Sequence, residues 1–367
     1  MSEFFLELFT EEIPSKMQSI ARNDIIQNFK NFFEKENINY KGISESYSTP
    51  NRLIIYFQSV NPEILQKSEV IRGPSINASD QALDGFMKSN KITNNDIFKK
   101  KTDKGEFYFY NKPSKKINTR DILSKNINSI LDKISWKKSM KWGNFNLYWG
   151  RPLKSILAIY QGKTLNFDYH HLKSSNSTFV DKEFEEKKKI FNSFQSYISY
   201  FKKYGIIINN NHRKNFIEKE LIKISKRKNL EIKINQKLLE EVNNIVEKPN
   251  MISCTFDKKF LEIPKEILIL VMQQHQKYFP TFDKKENLTN NFIIVADAID
   301  SKGLIKQGNE RVIEARLNDA QFFWRKNKSQ SLVKQVIKLK NMNYFKGLGN
   351  YFDKIQRIRK LGGVISD

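Results

Sequence analysis

Phe4-Phe5-Leu6-Glu7-Leu8-Phe9 is a short, mostly apolar run that reads as a β-strand. Thr10-Glu11-Glu12-Ile13-Pro14 follows and reads as the opening of a helix. A threonine hydroxyl can cap free N–H groups, and two glutamates favour the positive end of a helix. Residues 17–36 keep Ile20, Ile25, Ile26, Phe29, Phe32 and Phe33 near helical spacing, the pattern of an amphipathic helix. Tyr47-Ser48-Thr49-Pro50-Asn51-Arg52 is then a turn leading into a strand over 53–60. Strand, helix and strand in this order are an α+β signature, and residues 1–60 are set apart as an N-terminal α+β segment.

Further along, Arg72-Gly73-Pro74 reads as a turn and 80–89 as a short helix with Ala82, Leu83, Phe86 and Met87 on one side. Residues 101–105 form a polar turn into an aromatic strand over 106–110. Residues 119–136 carry Ile122, Leu123, Ile127, Ile130, Leu131 and Ile134 at helical spacing, and 142–160 alternate turn and strand signals around Gly150-Arg151-Pro152. The composition changes over 181–250, where the charged run 182–189 precedes helical patterns and a loop over 204–213 around Asn209-Asn210-Asn211. After Pro249 come a strand (252–256), a helix (265–274), a strand (292–296) and helices over 309–324 and 329–344. There is no internal repeat and no low-complexity linker. With 367 residues, at roughly 150 per domain, two or three domains are expected.

Lys+Arg number 64 against 40 Asp+Glu, a net charge of +24. Such a surplus favours a polyanionic partner, because positive potential raises encounter rates with phosphate. A coding bias toward Lys, Asn and Ile, visible even in 223–235, would give the same surplus. The single cysteine, Cys254, rules out a disulfide within the chain and a zinc site built from several cysteines. It lies in the apolar run 251–256 and reads as a small core residue. No basic leader precedes the opening strand, and the longest apolar run, 267–272, falls far short of the roughly 20 residues that a membrane span needs. A reducing cytoplasm fits these features.

Three stretches join cations to aromatics. Lys137-Lys138 and Met140-Lys141-Trp142 place positive charge beside an indole, either an RNA contact or a solvated helix end. Lys277-Tyr278-Phe279-Pro280 offers a stacking surface or a helix terminus whose aromatics simply pack, and spacing alone favours the second. From Gly308 to Phe323, Asn309 can cap a helix; Val312, Arg316, Asp319 and Phe323 share one side, with Leu317 and Ala320 on an adjoining one. There Arg311, Arg316 and Arg325 either touch phosphate or pair locally. The histidines His170, His171, His212 and His275 lack metal-ligand spacing, and His170-His171 reads as a loop. No phosphate-binding loop, dinucleotide turn, nucleophile elbow or adenylate-forming signature is present.

These stretches together resemble the bacterial glycyl-tRNA synthetase beta subunit family. Phe5-Leu6-Glu7-Leu8-Phe9-Thr10-Glu11-Glu12-Ile13-Pro14 is similar to its opening, and Thr49-Pro50-Asn51-Arg52-Leu53 to its Thr-Pro-Arg-Arg-Leu. Arg72-Gly73-Pro74, Thr102-Asp103-Lys104-Gly105-Glu106, Met140-Lys141-Trp142-Gly143 and Arg151-Pro152 follow in the family's order. So do Gln276-Lys277-Tyr278-Phe279-Pro280, Asn291-Phe292-Ile293 and the run from Gly308-Asn309-Glu310 to Phe322-Phe323. Asn176-Ser177-Thr178-Phe179 departs from the family's usual Gly-His-Arg-Phe, so an RNA contact made by that His-Arg pair would be lost here.

The resemblance implies an α+β, multi-domain chain with mixed sheets and packed helices. Its central body, 61–330, would include a region resembling the B3/B4 domain of the phenylalanyl-tRNA synthetase beta subunit. Residues 331–367 would be the helical start of a truncated HD-like region, because the family is roughly twice as long and carries an anticodon-binding domain beyond. The chain would then be a fragment or a truncated gene product. The implied function is that of a non-catalytic beta subunit of glycine–tRNA ligase, which binds tRNA(Gly) and supports a catalytic alpha subunit in an alpha2beta2 tetramer. ATP and Mg would be used by the alpha subunit, with no cofactor, metal or catalytic residue on this chain. The tRNA contacts would come from Lys141, Trp142, Arg151, Lys277, Tyr278, Arg311 and Arg316. A free-standing RNA-binding or editing-like module derived from such a domain is the alternative.

Overall fold

The computed structural model describes residues 2–366 apart from 67, 104 and 181–186. Lys104 of the Thr102–Glu106 motif and 182–186 of the charged run therefore lie outside the described residues. The chain divides into two compact units, Met1–Asn211 and His212–Asp367.

In the first unit the opening run is β1 (Ser2–Thr10), followed by α1 (Ser15–Lys35), β2 (Tyr40–Thr49) and β3 (Arg52–Val60). Next come β4 (Glu63–Gln66), β5 (Glu69–Ser75), α2 (Asp80–Asn90), β6 (Ile97–Thr102), β7 (Gly105–Lys112), β8 (Lys115–Asn118) and α3 (Thr119–Leu131). Then β9 (Leu153–Tyr160), β10 (Lys163–Thr164), β11 (Asp168–Tyr169), β12 (Leu172–Ser175), β13 (Ser177–Phe179), β14 (Lys188–Ile190) and α4 (Phe194–Lys203) complete the unit. The main sheet runs β11-β12-β9-β1-β3-β2 with β10 against β9; β9–β12 is parallel and the other pairs are antiparallel. A two-stranded sheet (β4-β8) and a three-stranded sheet (β5-β7-β6) form between β3 and α3. The class is α+β, as the sequence implied.

Residues 4–10 of β1 are all buried, as a central strand covered on both faces requires. Phe4, Leu6 and Leu8 enter one core with Ala21, Ile25 and Phe29 of α1 and Leu123 and Ile127 of α3. Phe5 enters a second core with Phe194, Tyr197 and Phe201 of α4. Glu7 points the same way as Phe5, and a bare carboxylate there would be costly. It is fully buried, accepts hydrogen bonds from Thr178 and Tyr197, and pairs with Arg52 at 2.9 Å. The Arg52 guanidinium lies 4.8 Å from the Phe9 ring centroid and 4.4 Å from that of Phe201, and donates to the Phe179 carbonyl at 2.7 Å.

Four local expectations are corrected. Thr10 does not cap a helix, because its N–H donates to Asn51 O and that of Glu11 to Pro152 O, which prolongs the extended chain. The helix starts at Ser15 behind Pro14, with no side-chain cap. Tyr47-Ser48-Thr49 belongs to β2, which leaves only Pro50 and Asn51 as the turn. Arg72-Gly73-Pro74 lies within β5, where a register shift between Arg72 and Ser75 accommodates a proline that has no N–H to donate. α3 ends at Leu131, because Ile134 turns back into the core and Trp136 packs on Trp149.

The second unit contains all but the first two residues of α5 (Asn210–Arg227), then β15 (Glu231–Ile232), α6 (Gln236–Asn243), β16 (Asn250–Thr255), α7 (Lys265–Leu270), β17 (Phe279–Phe282), β18 (Leu288–Ala296), α8 (Leu304–Lys328), α9 (Leu332–Val336) and α10 (Tyr351–Ser366). Its antiparallel sheet runs β15-β17-β18-β16. Strand alternation sends Phe279 and Ile293 into a core with Leu221 and Leu239, and Phe292 and Ile294 into another with Met272, Ile313 and Leu317. Cys254 is a fully buried core residue, its thiol pushed up to about 12 chiefly by burial. α5 already begins at Asn210, inside the expected loop. Asn309 does not start α8 but sits within it. Asp300 takes the capping role instead, accepting from the N–H groups of Ile305 (3.1 Å) and Lys306 (2.9 Å). The helix expected over 329–344 is short α9 followed by a 3-10 turn, Ile337–Asn341. Among the described residues no helix is long and apolar enough to cross a membrane.

Candidate nucleic-acid interface

A corner of the first unit is built from the segment between α3 and β9. Met140 and Trp149 exchange backbone hydrogen bonds at 2.8 and 3.2 Å, which closes 140–149 into a loop. Two glycines allow it: Gly143 has φ +52, and a Cβ on Gly150 would lie 2.3 Å from the Trp136 ring. Trp149 is buried against Trp136 (5.1 Å between centroids) and Tyr169 (6.1 Å). With those rings as a base, Phe145 and Tyr148 stay exposed, and so do Lys137, Lys138 and Lys141.

The β11–β12 hairpin meets this loop. His170-His171 is its two-residue turn, and His170 takes the positive φ of 52° that such turns demand. The hairpin is tied to the end of α3: Tyr169 O–H donates to Asp132 at 2.8 Å, and Asn128 donates to the Asp168 carbonyl at 2.7 Å. This anchoring sets the His171 ring flat on Phe145, centroids 3.6 Å apart and planes 8° apart, with Trp142 edge-on at 5.9 Å. Burial, followed by the charge of His170, holds His171 below the ordinary histidine range, which favours a neutral stacked ring at neutral pH. Arg151 is half-buried beyond the far end of the loop and reaches back to within 4.0 Å of the Met140 sulfur. Lys141 and Trp142 at one end of the loop and Arg151 just past the other thus meet at one aromatic corner ringed by cations. Flat exposed rings beside cations that form no ion pair among the described residues are suited to stacking a base while holding its phosphate.

The residues singled out in the second unit are arranged differently. Tyr278 is buried, its hydroxyl donated to Asn309 at 2.6 Å, so its ring offers no face to a base. Phe279 is buried as well, which leaves the packing alternative for that motif. Lys277 has φ +60, and its ammonium pairs with Glu241 at 3.0 Å. Arg311 and Arg316 are exposed on α8, but five residues apart they point roughly 140° from each other. Val312 and Phe323 on the Arg316 side are exposed, while Ile313 and Leu317 bury an adjoining side. Among the described residues no group of three or more His, Cys, Asp or Glu gathers as metal ligands would.

Sequence reasoning missed Phe145 and His171. Phe145 lay inside an irregular stretch and His171 in a loop, and nothing in either marks a contact between positions 26 apart. The departure at 176–179 is also placed. Thr178, where the resembling family carries arginine, is fully buried against Glu7, so this position faces the interior.

A family model described as "Glycyl-tRNA synthetase beta subunit" matches residues 4–367. The chain is 34% identical over 367 residues to a protein of Rickettsia canadensis named glycine–tRNA ligase beta subunit, covering 100% of this chain and 55% of that protein. A protein of the same name from Rickettsia prowazekii is 35% identical over 359 residues, covering 98% and 54%. The class these matches define is the aminoacyl-tRNA synthetases. Within it, the chain belongs to the glycyl-tRNA synthetase beta subunit family. It spans about half the length of the curated relatives it matches.

Proposed function

We propose that this chain is the amino-terminal part of a glycine–tRNA ligase beta subunit, which binds tRNA(Gly) and braces a catalytic alpha subunit without activating glycine itself. The observation that carries the RNA-binding part is the stack of His171 on Phe145 with Trp142 edge-on to His171, set among Lys141, Arg151 and the exposed Lys137 and Lys138. Family membership supports the rest. In the assembled alpha2beta2 enzyme, working in the cytoplasm, ATP and Mg would be bound by the alpha subunit. Arg311 and Arg316 are proposed as further phosphate contacts, with Lys277 contributing once released from Glu241. A B3/B4-like region within the body would help hold the tRNA.

ATP–pyrophosphate exchange tests the division of labour. The isolated chain is expected to show no glycine-dependent exchange and the alpha subunit to supply it, with the chain co-purifying with the alpha subunit. Glycine activation by this chain alone would refute the reading. Release of an amino acid from mischarged tRNA by the pure chain would transfer support to the editing-like alternative.

A further inference from the structure

The β5-β7-β6 sheet carries a second arrangement of rings and cations, away from the corner described above. Residues directly opposite in an antiparallel pair point to the same side. Phe98 and Arg72 both stand opposite Phe109, and Lys100 stands opposite Phe107, so these five share one face. Phe98 lies offset on Phe109, centroids 6.0 Å and planes 25° apart, and is 43% exposed. The Arg72 guanidinium sits 3.5 Å from the Phe107 centroid, and the Lys100 ammonium 6.0 Å from that of Phe109. Lys99 and Lys101 flank Lys100 along the same strand.

Lysines on an edge strand usually guard it against pairing with other chains, and β6 is an edge. That accounts for Lys99, Lys100 and Lys101 but not for Phe98, since an exposed ring on a guarded edge undoes the guard. Nor are the cations paired: Glu106 stands opposite Lys101, but among the described residues none of Arg72, Lys99, Lys100 and Lys101 forms an ion pair with a carboxylate. Two copies joined along β6 would bring six lysines together, so the charge disfavours a second copy and favours a polyanion. A flat ring can be covered only by a base that has left its helix, which selects unpaired over duplex RNA.

We propose that this face binds unpaired nucleotides of RNA, one base stacking on Phe98 while Arg72 and Lys100 hold the adjoining backbone. The proposal rests on the reading that the chain binds RNA, and it concerns a site separate from the corner.

The test uses the full chain and two probes: a short unstructured oligouridylate carrying one 2-aminopurine, and tRNA(Gly). The chain is expected to bind the oligonucleotide with a change in 2-aminopurine fluorescence. Phe98→Leu, which keeps apolar bulk and removes the ring, is expected to weaken that binding about tenfold, and Phe98→Tyr to restore it. Lys100→Ala is expected to lower the salt dependence by about one phosphate contact. Lys141→Ala/Phe145→Ala is expected to weaken tRNA binding and leave the oligonucleotide untouched. If the chain binds tRNA but not the oligonucleotide, or if Phe98→Leu binds it as well as the unaltered chain, this proposal fails and the reading of the corner stands. If the chain binds neither RNA, both fail. Self-association that Phe98→Leu abolishes would assign the face to a second copy and overturn the proposal.

Discussion

Glu7 and Arg52 occupy the middle of the first unit with no access to water, and the two charges depend on each other. Removing one partner of such a pair leaves the other buried and unanswered, which typically costs about 3–5 kcal/mol. Arg52→Ala is therefore expected to lower stability by an amount of that order in urea unfolding. Glu7→Gln/Arg52→Met, which removes both charges and keeps bulk over Phe9 and Phe201, is expected to lose clearly less. Equal losses would mean that the pair is not what these side chains contribute. Glu7 was visible in the sequence only as the acid in an apolar strand. Its partners Thr178 and Tyr197 lie 171 and 190 positions away, and local spacing carries no sign of contacts that distant.

Among the elements, those set by strong periodicity were legible: α1, α2 and the strands at 53–60, 106–110 and 252–256 stand where the apolar spacing put them. What failed were helix starts and turns, because the deciding groups act from outside the pattern. Asp300 caps α8 from beyond the repeating stretch, and the N–H groups of Thr10 and Glu11 are claimed by two distant turns. The β11–β12 hairpin, read only as a loop, carries the histidine that completes the aromatic corner. Its titration gives a test. Because the folded state holds the His171 pKa below the ordinary value of 6.5, the unfolded chain takes up that proton more readily. The stability contributed by the neutral ring is thus fully present above about pH 6.5 and is lost as pH falls through the lowered value. Between pH 7.5 and 5, wild-type Tm is expected to fall more than that of His171→Phe, which stacks on Phe145 but does not titrate. Parallel declines would mean that His171 is not held neutral by its surroundings.

At the scale of the whole molecule, a net charge of +24 is spread over two units, each with a main sheet packed between helices. Composition alone left open whether this charge serves RNA or reflects coding bias. The fold narrows the question by collecting cations beside exposed rings at particular places, among them the 136–151 corner with His171. Three of the seven residues first assigned to RNA come together there, one of the seven is buried, and the remaining three lie in the second unit. Large apolar residues of α8, α9 and α10, among them Phe322, Phe323, Leu332 and Ile365, are exposed. The most direct test of the account is the affinity of the chain for tRNA(Gly) across a salt series, compared with Lys141→Ala/Phe145→Ala, whose altered side chains are exposed. The account predicts steeply salt-dependent binding that the double variant weakens by about tenfold or more, with a slope reduced by about one. Equal affinity and equal slope for the two proteins would contradict it.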